Sequence, residues 1–229
     1  MCARYTLTLD QARLVMAGVV HIFAFVPRYN IGPAQRAPVI IKTPKGVRCG
    51  DLTWGYKTQW SNTLHFNAQA ERIRQTSAFK KLLNQRCLVP MDGFYEWKPH
   101  KSPVRFTRLK RGVFYVAGLW HANEPRQNDN FHSAPAGKGN KGEFSDQMSF
   151  VLLTTAANAS VKPIHDRMPL ILREDALEQW LEISDFNFQI SDLLDKSDLS
   201  HYSVSREVNN IRDENAGLIA QVATEPELL

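Results

Sequence analysis

Cysteine is scarce in this chain, and long uninterrupted apolar runs are missing from it. Three cysteines, Cys2, Cys49 and Cys87, are spread over 229 residues. An odd, sparse set without paired spacing argues against a disulfide framework and against a cysteine-based zinc site. Nothing else in the sequence suggests a metal or an organic cofactor. The longest apolar stretch, residues 14–27, is interrupted by His21 and is too short to cross a bilayer. The opening MCARYTLTLD lacks the apolar centre of a secretory signal. A reducing cytoplasmic setting without a membrane is therefore expected. Concentrated charge is lacking too. Lys and Arg number 28 against 23 Asp and Glu, a formal charge of +5, and no basic block forms a tail. So modest an excess suits a phosphate-bearing partner without requiring one.

What is present is a soluble globular composition, 43% hydrophobic with twelve Gly and twelve Pro. Residues 5–9 read as a strand, and Asp10 reads as the cap of a helix through about residue 20. Gly32-Pro33 marks a turn, residues 38–42 a strand, residues 43–46 a second turn, and residues 52–56 more β-structure. Residues 68–85 carry helical spacing, with Phe79 one turn from Leu83. Strands follow at 86–90, 93–98, 104–109, 113–119 and 149–155. Residues 122–147, rich in Asn, Gly, Pro, Ser and Lys, read as a long flexible surface loop. Leu177, Trp180 and Leu181 predict a helix capped by Asp175, and Ile190, Leu193 and Leu194 a second. One more strand should lie near residue 201. With no repeat and no dividing linker, the chain reads as a single α+β domain, residues 1–229, dominated by antiparallel strands.

Four places carry possible chemistry. Cys2 would become the first residue once Met1 is removed, and its α-amine and thiol would then sit on adjacent carbons. An α-amine titrates near 7.7–8.0, so an appreciable fraction is nucleophilic at neutral pH. A 1,2-aminothiol condenses with an aldehyde to an imine, which the thiol closes to a thiazolidine. A cysteine at position 2 can equally be a frayed end. Glu96 lies in DGFYEW, where aromatic neighbours would raise its pKa, unless it faces solvent as one side of an amphipathic strand. His165 and Arg167, in IHDRMP, can move a proton and hold a phosphate, or merely serve a loop. Asn67, in LHFNA, can cap the helix that follows or direct its amide into a site.

In their order along the chain, MCARY, RYNIGPAQ, WGY, NAQAE, CLVPMDGFYEW, AGLW, LLTTAAN, HDRMP and VSREVNN resemble the SOS-response-associated peptidase (SRAP) family. The likeness covers nearly all of the chain except residues 122–147 and the extreme C-terminus. It implies a compact α+β domain with a small barrel-like, bifurcated sheet flanked by helices. It implies covalent capture of abasic sites in single-stranded DNA, including single/double-strand junctions, by a monomer that protects the strand from cleavage. The implied catalytic group is Cys2, Asn67, Glu96 and His165, and the implied DNA contacts are Arg4, Pro33, Trp54, Trp97 and Arg167. The family commonly has an arginine where this chain has Gln69, and Arg72 is a candidate to replace it. Strand-cleaving lyase activity could leak through if ring closure is slow. Two rival readings remain at this level: an N-terminal-cysteine peptidase that removes its own Met1, and a non-catalytic single-strand-binding module.

Overall fold

The computed structural model describes residues 2–58, 60–110, 112–122, 148–182 and 189–223. Fourteen strands are assigned among them. They are β1 (Tyr5–Leu7), β2 (Gln11–Met16), β3 (Val19–Ala24), β4 (Arg28–Ile31), β5 (Arg36–Thr43), β6 (Gly46–Trp54) and β7 (Asn67–Gln69). The rest are β8 (Arg86–Met91), β9 (Gly93–Lys98), β10 (Ser102–Arg108), β11 (Phe114–Ala122), β12 (Met148–Ala156), β13 (Arg167–Pro169) and β14 (Leu199–Ser203). The α-helices are short: α1 (Leu177–Glu182) and α2 (Ile190–Leu193). The fold is a single compact domain of mainly antiparallel sheet with few helices, as the sequence implies.

Five strands form one sheet in the order β14-β10-β9-β1-β4, placing the N-terminal strand between two others. A second, seven-stranded sheet closes into a ring, because β11, β8, β5, β6 and β12 pair in turn and β12 pairs back onto β11. At β12 the ring forks. Its first half lies between β11 and β6, while its second half is flanked by β7 and β13. The pairings of β12 with β6 and β7 are parallel, an exception among antiparallel neighbours.

Alternation along the strands separates two cores. Tyr5, Leu7, Phe94 and Phe106 of the first sheet meet Val39, Val89 and Phe150 of the ring. Ile40, Leu88, Tyr115 and Val151, on the other ring face, pack under the β2–β3 hairpin and α1, where Trp180 is fully buried.

Two helical expectations fail. Residues 11–24 are a hairpin, since Ala12, Leu14 and Met16 alternate as buried against exposed neighbours, and Ala17 and Gly18 turn the chain at φ 48° and 75°. Two such residues are what a tight hairpin turn requires. Residues 68–85 hold no α-helix either. Ala68 and Gln69 are drawn into parallel pairing with β12, and two short 3-10 helices, Ala70–Arg72 and Ser77–Leu82, bury Phe79 and Leu82. Asn67 therefore caps nothing. Asp175 does not cap α1 but pairs with Arg173 at 2.9 Å. Residues 123–147 of the expected loop lie outside the described residues, while Ala122 ends β11.

One buried polar cluster ties the N-terminal strand down. The Asp92 carboxylate accepts from Thr6 Oγ1 (2.5 Å), the Thr8 backbone N–H (2.6 Å) and hydroxyl (2.5 Å), the Leu9 N–H (3.2 Å) and Arg105 Nη2 (3.0 Å). Gly93 permits this, because a Cβ there would stand 2.8 Å from Arg105 Nε and from the Phe106 carbonyl. Removing one partner of a buried pair leaves the other charge without compensation. Arg105→Met should thus cost about 3–5 kcal/mol in urea unfolding, whereas a loss below about 1 kcal/mol would show that Asp92 is satisfied without Arg105.

Candidate active site

Cys2 lies just before β1 and is fully buried, its Sγ–H donating to the Arg4 carbonyl at 3.4 Å. Burial, followed by the nearby Glu96 charge, pushes its thiol well above the ordinary range, so the sulfur is held protonated. Asn67 reaches it from β7: Nδ2 donates to the Cys2 carbonyl at 2.6 Å, and Oδ1 is buried without a hydrogen-bond partner. The parallel register that sets Asn67 opposite Leu152 aims this amide.

Glu96 arrives from β9, which pairs directly with β1, Tyr5 opposite Phe94. Strand alternation gives it the inward face of Phe94 rather than that of Tyr95 and Trp97, and only 2% of it is exposed. Withdrawal from water raises its pKa to about 7. His165 lies just before β13. Its Nδ1 lies 2.9 Å from the Arg167 backbone nitrogen and 3.2 Å from the Arg167 carbonyl oxygen, and burial lowers its pKa, which favours the neutral ring near pH 7. The charge of the amino terminus acts on Cys2, Glu96 and His165 alike. With Asn67 bonded to Cys2, all four expected catalytic residues converge on the start of the chain.

The expected DNA contacts divide. Arg4 is half-buried, its Nη1 donating to Asn30 Oδ1 and to the Val208 carbonyl, both at 2.9 Å. Pro33 sits in the turn after β4, next to Gly32, where a Cβ would lie 2.4 Å from Ile211 Cδ1 and 3.0 Å from Arg4 Cδ. Arg72 is exposed at the end of its 3-10 helix. Trp97 lies on the opposite face of β9 from Glu96, its Nε1–H on Asn209 Oδ1 at 2.6 Å. Trp54 corrects the reading that assigned it to DNA. It is 0% exposed, its Nε1–H donates to the Phe66 carbonyl at 2.8 Å, and its rings meet Tyr5, Phe66 and Phe150. No face remains on which a base could stack.

Three residues escaped the sequence. Trp60 is 67% exposed, in a loop closed by reciprocal Tyr56–His65 backbone bonds of 2.8 Å, two residues before Asn67. A tryptophan among Lys57, Ser61 and Asn62, without apolar periodicity, was the available signal. Asn30, fully buried, donates to the Val208, Asn210 and Asp213 carbonyls and straps the C-terminal segment over Arg4. Glu71 grips Arg167. Among the described residues, no group of three or more His, Cys, Asp or Glu could hold a metal ion, and no helix is long and apolar enough to cross a membrane.

The family model for the SOS response associated peptidase (SRAP) matches residues 1–211, and the chain belongs to this family. It is 29% identical over 237 residues to the abasic site processing protein YoqW of Bacillus subtilis, covering 96% of this chain and 99% of that one. It is 30% identical to YoaM of the same organism, likewise an abasic site processing protein, covering 96% and 97%. The crystal structure of a phage-related protein from Bordetella bronchiseptica shares the fold, with a TM-score of 0.64 at 24% identity over 89% of this chain and 94% of that one.

Because the Glu96 pKa rises from 4.5 to about 7 on folding, the folded state holds this proton more tightly than the unfolded chain. Its contribution is intact below about pH 4.5 and is lost as pH climbs through about 7. Glu96→Gln should therefore gain stability over the parent between pH 5 and pH 8, by on the order of 1–3 kcal/mol in urea melts. An equal difference at both pH values would contradict a buried, proton-holding Glu96.

Proposed function

We propose that this protein captures abasic sites in single-stranded DNA as a thiazolidine formed by the α-amine and thiol of Cys2. The observation that carries the reading is the convergence of Asn67, Glu96 and His165 on the chain's start, in a family whose relatives are named for abasic-site processing.

The chemistry begins with a closed sugar hemiacetal. Its C1′ hydroxyl gives up a proton and the ring oxygen gains one, freeing the aldehyde. A carboxyl that titrates near 7 can both accept and donate there, and a neutral imidazole is a suitable second carrier. The Cys2 amine, freed by loss of Met1, adds to the aldehyde carbon. Water then leaves and an imine remains. The thiol adds across the imine, its proton passing to nitrogen, and the ring closes with the strand intact. Asn67 fixes the Cys2 carbonyl, and its unpartnered Oδ1 can accept from the amine or from a sugar hydroxyl. Slow ring closure would leave an imine able to promote β-elimination, which is the source of any lyase activity.

For the DNA, Trp60 takes the stacking role first given to Trp54, and Arg4, Pro33, Arg72 and Trp97 line the approach. Junction binding, a monomeric state and work in the cytoplasm on damaged DNA complete the reading. A peptidase finds less support, because its nucleophilic thiol is buried and held protonated.

A single-stranded oligonucleotide with one abasic site, mixed with the protein and run on a denaturing gel without reductant, should give a shifted band. Cys2→Ala and a non-removable N-terminal tag should both abolish it. Cross-linking by the tagged protein would refute the free-amine step, and peptide turnover without DNA dependence would favour the hydrolase. Trp60→Ala should weaken binding by about 1–3 kcal/mol, the worth of one stacked base, while cross-linking at saturating DNA stays unchanged. Unaltered affinity would remove Trp60 from the interface.

A further inference from the structure

The β9–β10 hairpin turns through Pro99, His100 and Lys101, with Lys98 paired to Ser102 across it. His100 and Lys101 both adopt left-handed backbone, at φ 59° and 57°. A Cβ in that conformation crowds the following carbonyl, which is why turns usually place Gly or Asn there. Ala17 and Ala34 share the conformation with the smallest side chain that has a Cβ, but His100 and Lys101 are large. The distorted turn is braced from the C-terminal segment. Asn209 accepts from Trp97 Nε1 at 2.6 Å and donates from Nδ2 to the Lys101 carbonyl at 3.3 Å, and Arg206 Nη2 donates to Ser102 Oγ at 3.4 Å.

Neither large side chain serves the core, since both are exposed. Backbone strain kept without a packing return points to function. The place of the turn says which. One face of β9 runs from Phe94 in the core, to Glu96 in the site, and then to half-buried Lys98 at the rim. The Lys98 charge also acts on His201, which lies on that same face, opposite Phe106. A strand advances roughly 7 Å for every two residues, so Lys98 stands one such step beyond the carboxyl and the turn a second. Arg206, exposed, brings a further charge to the same corner. Among the described residues, no ion pair engages Lys98, His100, Lys101 or Arg206.

We propose that the β9–β10 turn is a phosphate-binding tip, where Lys98, His100, Lys101 and Arg206 hold the DNA backbone as the strand leaves the Glu96 site. The left-handed backbone aims these side chains outward, and Asn209 keeps it in place. Contacts of this kind fix the register of a strand without reading its sequence. The choice of DNA as partner rests on the proposed function, but the contacts themselves need no lesion.

The test gives the turn the residues its geometry favours, His100→Asn together with Lys101→Gly, and separately makes Lys98→Gln, which leaves the turn intact. On an undamaged oligonucleotide with a single/double-strand junction, each variant should weaken binding about 3–10-fold and flatten the salt dependence by about one unit. The turn variant should at the same time melt roughly 2–4 °C higher, having shed the left-handed penalty. Binding and stability thus move in opposite directions, which a loss of fold cannot imitate. Lys45→Gln removes one charge from the β5–β6 turn instead and should leave affinity and salt dependence as they are. Unchanged affinity in either tip variant would overturn the proposal. So would an equal loss in Lys45→Gln, because DNA would then sense only net charge. If the parent binds the junction but forms no cross-link with abasic DNA, the proposed function fails while the affinities still decide the tip. If the parent binds no DNA, both fail.

Discussion

A chain end is by default the least ordered part of a domain, and this site is built on one. The constraint on which everything else depends is therefore the Asp92 carboxylate, which gathers five donors from Thr6, Thr8, Leu9 and Arg105 within the protein interior. Two oxygens so fully used lose little by leaving water. Their effect is to fix the first strand between β9 and β4. From that anchor backward, Arg4 is held by Asn30 and Val208, and Cys2 by Asn67. Arg4 and Cys2, just before the strand, are thus each tethered.

The same arrangement sets the electrostatics. Pairing β9 beside β1 with Phe94 opposite Tyr5 sends Glu96 inward, where it cannot find water. A carboxyl placed that way gives up some folding stability at neutral pH, a cost that recurs where groups are tuned for proton transfer. The Cys2 thiol is suppressed by the same burial and by the same carboxyl. Near pH 7 the thiol and imidazole stand in their neutral forms and the carboxyl lies at its midpoint, a state suited to carrying protons rather than to attacking with a thiolate.

Much of this was legible in the residues. Strands beginning near Arg86, Gly93, Phe114 and Met148 announce themselves by β-branched and aromatic runs, and the order of short motifs delivered the family and the group around Cys2. The failures have physical causes. The alternation of Ala12, Leu14 and Met16 was hidden by apolar residues on both hairpin strands, so a period of two passed for a helix. Residues 68–85 have helical spacing, but a parallel partner in β12 claimed their first residues, and only tertiary structure supplies it. Trp54 and Trp60 are six positions apart in one segment. Sequence cannot say which ring closes the core and which meets solvent.

The place of β1 inside its sheet also imposes a schedule. Its partner Phe94 lies 89 positions further on, and Val208, which braces Arg4, is 204 positions from it. At about 5–20 residues per second of synthesis, β4 emerges first, and the nascent N-terminus waits on the order of 4–18 seconds for β9, the strand that completes its pairing. Once the domain has closed, Cys2 has no exposed surface left. On the thiazolidine reading, which needs Met1 removed, the bond before Cys2 is best reached while the ribosome is still working, so timing rather than affinity would decide the maturity of the nucleophile.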